Sequence, residues 1–88
     1  MISRDQAREI AEREIIARGL GTGVKTVYRP DELDGRALRN IYYTGPALRQ
    51  WWVAYAARPF IGLMSSNVVL IDRENGAVLY AGSANDEG

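Results

Sequence analysis

The segment Asn67 to Ala81, NVVLIDRENGAVLYA, constrains the fold most. Two apolar runs, NVVLID and AVLYA, flank Arg73-Glu74-Asn75-Gly76. Runs rich in Val, Leu and Ile that are bounded by turn residues read as strands. The connection reads as a type I turn with Gly76 in the left-handed conformation. An antiparallel hairpin is therefore expected, with strands over about 67–72 and 77–81. A lone hairpin is barely stable in water, so further elements must cover it. A third strand is expected over about 50–57, where Trp51, Val53 and Tyr55 alternate with Trp52, Ala54 and Ala56. The second set is small after its Trp, which suits a helix packing on that face. Pro59 closes this strand or marks an edge.

That helix is expected at the start, over about 3–18. Ser3 and Gln6 form a capping box, with Ile2 and Ala7 placed as a hydrophobic staple. Ala7, Ile10, Ala11 and Ile15 share one face, and Gly19 ends the helix with Arg18 in its last turn. Glu14 and Arg18 read as a pair at the edge of the buried stripe. Ile16 points to the opposite side, either exposed or covered by a loop. Gly19, Gly21 and Gly23 resemble a phosphate loop only superficially. Such loops precede a helix N-terminus, whereas these glycines follow a C-terminus, so they read as a C-cap and a flexible link. A fourth strand fits 23–28, with Val24, Thr26 and Tyr28 on one side. Pro30, Asp31, Asp34 and Gly35 signal turns. Arg36 to Gln50 carries no clear period, and Asn40 to Thr44 reads as a short strand or an ordered loop. The tail from Gly82 onward reads as solvated and frayed.

The expectation is a single domain over 1–88 of class α+β: one N-terminal helix packed on an antiparallel sheet of three to four strands, in two layers. Chemistry is narrowed by what the 88 residues lack. There is no His and no Cys, which removes the commonest general base, the strongest neutral-pH nucleophile, and zinc sites built on imidazole or thiolate. No catalytic residue, cofactor site or metal site is assigned. Asp31-Glu32-Asp34 could hold a hard cation but lacks the downstream Glu of a calcium loop, and reads as a solvated turn. Absence of Cys suits a reducing compartment, and Met1 to Glu14 lacks the apolar core of a signal peptide. No apolar run is long enough to span a bilayer. A cytoplasmic location without membrane contact is expected.

The formal net charge is +0, but the charges are unevenly distributed. Between Gly35 and Ile71 stand Arg36, Arg39, Arg49 and Arg58 with no Asp or Glu, interleaved with Tyr42, Tyr43, Trp51, Trp52 and Phe60. Arg and aromatic side chains of this kind make protein-interaction hot spots. They can also stack on single-stranded nucleic acid, which a neutral chain disfavours, so no nucleic-acid partner is expected. The alternative is that the aromatics form core and the arginines are solvated. The candidate protein-binding set is Arg39, Tyr42, Tyr43, Arg49, Trp52, Arg58 and Phe60. Only one of Trp51 and Trp52 can face the helix, so the other needs the long connection, a second copy or a partner to cover it. The apolar segment Arg58 to Met64 is a second candidate surface, or else an extension of a strand.

The N-terminal stripe (Ala7, Ile10, Ala11, Ile15), the strand WWVAYA and the hairpin VVLIDRENGAVLYAGS together resemble the immunity protein 35 family of bacterial polymorphic toxin systems. The hairpin also resembles that of PepSY-like domains linked to peptidase control. The small segment Ala81-Gly82-Ser83 after the last strand and a free-standing chain of this length favour the immunity type. That resemblance implies a protein that binds and occludes a cognate toxin. It carries no catalytic residues, and it implies structural roles for Asp72, which anchors the turn, and for Gly76. The other expectations are a PepSY-like inhibitory or regulatory domain acting on a peptidase, and a self-associating structural protein that forms a homodimer.

Overall fold

The computed structural model describes residues 1–29, 32, 51–57 and 66–83. Helix α1 spans Arg4–Arg18, followed by strands β1 (Gly23–Tyr28), β2 (Trp51–Ala57), β3 (Asn67–Asp72) and β4 (Val78–Ser83). The four strands form one antiparallel sheet in the order β1-β2-β3-β4. One helix on this sheet is the expected α+β architecture. No helix of the described residues is long and apolar enough to cross a membrane.

The helix starts where its sequence says. The Ser3 hydroxyl accepts from the Gln6 backbone N–H at 3.1 Å, and the Gln6 side chain accepts from the Ser3 N–H at 2.8 Å. This reciprocal pair satisfies donors that have no partner inside the helix. Gly19 ends α1 in the left-handed conformation, with φ 65°. Ala7, Ala11 and Ile15 are fully buried, Ile10 is half-buried against the same cluster, and Ile16 stands out at 61% exposure. Glu14 and Arg18 pair at 2.8 Å at the rim.

The register of the sheet sorts its side chains between two faces. Trp52 lies opposite Ile71, and Ala54 opposite Val69. These four, with Ala56 and Val27, form one buried cluster with the helix stripe. Val53 lies opposite Leu70, and Tyr55 opposite Val68. Val53, Val68 and Leu70 join Trp51 in a second buried cluster, bordered by Tyr55, Leu79 and Tyr80.

The structure departs from the sequence reading at three places. First, Val24, Thr26 and Tyr28 do not share a side. A bulge between Val24 and Thr26 inserts Lys25, so Val24 and Val27 both pack on the helix-side cluster. Second, β4 runs to Ser83, so Ala81, Gly82 and Ser83 belong to the last strand rather than following it. Gly82 and Ser83, expected to be frayed, are therefore paired in the sheet. Third, the Gly19–Gly23 link is pinned rather than loose. Thr22 N donates to the Ala57 carbonyl at 2.8 Å and Leu20 N to that of Ile15 at 2.9 Å, while Asn67 Nδ2 holds the Leu20 carbonyl at 2.8 Å. A side chain at Gly21 would overlap the Ala57 carbonyl oxygen, which explains the glycine there.

Candidate protein-binding surface

Of the candidate binding residues, Trp52 lies within the described structure; Arg39, Tyr42, Tyr43, Arg49, Arg58 and Phe60 lie outside it. So does the Arg58 to Met64 segment. Trp52 is 6% exposed, beneath α1. The Arg4 guanidinium lies 5.2 Å from its ring centroid and that of Arg73 lies 5.0 Å from it. Both distances suit cation–π attraction. Trp51 is 1% exposed on the opposite face. Both indoles are thus buried within one chain, and neither needs a second copy or a partner to cover it.

The Arg4–Trp52–Arg73 stack joins the helix start to the hairpin turn. Ile2 N donates to the Arg73 carbonyl at 2.7 Å, fixing the residue before the N-cap on that turn. Arg4 also pairs with Glu32 at 2.7 Å, and the same carboxylate oxygen accepts from the Arg29 backbone N–H at 2.7 Å. Glu32 belongs to the acidic turn considered as a cation site, and its carboxylate is engaged by these groups. Among the described residues no group of three or more acidic side chains converges.

The turn of the hairpin is built as its sequence implies. Asp72 Oδ1 accepts from Glu74 N at 2.8 Å, the Asp72 carbonyl accepts from Gly76 N at 2.9 Å, and Gly76 adopts φ 77°. Only a residue without a Cβ takes that conformation at little cost.

The outer face of α1 presents alternating charge. Arg8, Glu9, Glu12 and Arg13 line an open cavity of about 480 Å³, with Ile16 exposed one turn on. Glu12 has a second duty. Its Oε2 accepts from Val24 N at 2.8 Å, tying the helix to β1 beside the bulge. No local pattern marks this contact, because the partner is a backbone N–H whose availability depends on the bulge.

Comparison with family models, with curated proteins and with solved structures returned no match.

Proposed function

We propose that this chain is a protein-binding domain of the cytoplasm, not an enzyme, and that it acts by occluding a partner in the manner of toxin-neutralising immunity proteins. The observation that carries the reading is the stretch from Gly35 to Ile71, with four Arg, no acid and a concentration of aromatics. Buried aromatic and Arg anchors supply most of the energy in protein interfaces. With both indoles held in the cores, the anchors of this reading are Arg39, Tyr42, Tyr43, Arg49, Arg58 and Phe60. The chain's lack of His and Cys supports binding over catalysis. The shared hairpin pattern supports the inhibitor class.

The test begins with stoichiometric capture of a partner from the host by the tagged chain. The partner gene is then expressed alone in a second bacterium. Growth arrest that co-expression of this chain relieves, and that Arg49→Ala or Tyr43→Ala fails to relieve, is the expected result. A chain that captures nothing and scatters light as a homodimer overturns the reading in favour of self-association.

A PepSY-like regulator of a peptidase is the second reading. The placement of Ala81–Ser83 inside β4 removes one feature that set the immunity type apart. Inhibition of a co-purified peptidase, with no toxicity to relieve, would select it.

A further inference from the structure

We propose that Asn75-Gly76 is a latent deamidation site, held unreactive by the native turn, and that its conversion to isoaspartate releases the helix start from the hairpin. Asn followed by Gly is the dipeptide most prone to this reaction, because no side chain shields the glycine nitrogen. The deprotonated Gly76 nitrogen attacks Asn75 Cγ, a C–N bond forms, and the side-chain nitrogen leaves as ammonia. Water then opens the cyclic imide at either carbonyl, giving aspartate or isoaspartate. Water is the only co-reactant.

Both reacting groups are engaged in the fold. Asn75 is exposed, but its Oδ1 accepts from Ala77 N at 2.8 Å, an Asx-type turn that fixes the side chain. The Gly76 N–H donates to the Asp72 carbonyl at 2.9 Å. Ring closure needs that nitrogen free and turned toward Cγ, so the reaction must wait for local opening of the turn.

The consequence of conversion is spatial. Isoaspartate adds a carbon to the main chain immediately before Gly76. A Cβ built on Gly76 would lie 3.0 Å from Ile10 Cδ1 and 3.6 Å from Ile2 Cγ2, so the turn fits closely under the helix start. Ile2 N is also bonded to the Arg73 carbonyl in the same turn. A lengthened turn cannot keep both contacts.

The experiment incubates the full chain at mildly alkaline pH, native and in urea, and follows residue 75 by peptide mapping that separates aspartate from isoaspartate. Unfolded chain is expected to convert at least about tenfold faster than native chain. Asp72→Ala, which removes the acceptor of Glu74 N, should raise the native rate. Asn75→Gln should abolish the product. Hydrogen exchange on the isoaspartyl fraction should show the Ile2 amide unprotected while β2 amides stay protected. Equal native and unfolded rates, no conversion in either, or an Ile2 amide that stays protected would each overturn the proposal.

Discussion

Alanine at positions 7 and 11 sets how close α1 lies to the sheet. Both are fully buried in the cluster that holds Trp52, Ala54 and Ala56. A large indole on one layer packs with small side chains on the other, and close-packed interiors leave little room for added volume. Ala11→Leu is expected to overpack this interface and cost about 1–3 kcal/mol, read as a lower urea midpoint with unchanged slope. Trp52 tests the same interface from the other side. Trp52→Ala should cost about 3–5 kcal/mol. Trp52→Phe should cost clearly less, because it keeps an aromatic ring within reach of the Arg4 and Arg73 guanidiniums. It also discards an indole Nε1 that is buried without a hydrogen-bond acceptor among the described residues. Loss of the proposed partner binding in Trp52→Ala would therefore report unfolding, and the proposed interface is better probed at Arg49 or Tyr43.

The elements differ in how openly their causes are written. For α1, both ends are signalled locally: the Ser3–Gln6 box and the Gly19 cap lie within one turn of the residues they serve. Ser3→Ala should cost about 1 kcal/mol by thermal or chemical denaturation. The turn of the hairpin was equally legible, since the Asp72–Gly76 hydrogen bonds join near neighbours, whereas the register shift between the Leu70–Tyr80 and Ile71–Val78 pairs and the extent of β4 to Ser83 carried no local signal. Strand β1 was not. Its bulge at Lys25 leaves the composition of the strand unchanged, and its anchor is the Glu12 carboxylate from another element. Glu12→Gln retains an acceptor for Val24 N and should be nearly neutral. Glu12→Ala leaves that N–H without it and should cost about 1–2 kcal/mol, with hydrogen-exchange protection lost first at Val24. The candidate binding residues were read from composition and charge alone. For Trp52 that reading could not separate interface from core, because the same large side chain serves both.

For the molecule, the sheet is apolar on both faces. Val53, Val68 and Leu70, on the side away from the helix, are as fully buried as Ala54 and Val69 beneath it. Val53→Asp should thus be as damaging as Ala54→Asp, each burying a carboxylate without a partner. Circular dichroism of both variants tests this, and a folded Val53→Asp would show that the second face tolerates water.

The strand order has a bearing on how such a chain can change over generations. Each of the four described strands pairs with the described strand next to it in sequence. The stretch between Tyr28 and Trp51, which carries Arg39, Tyr42, Tyr43 and Arg49, links two strands that are already neighbours in the sheet. Loop-closure entropy grows slowly, by only about 0.6 kcal/mol for each doubling of a connection's length. The helix, hairpin and sheet can then stay constant while this insert is exchanged. Under the proposed binding role, such a division would let one scaffold follow a changing partner without having to evolve a new fold.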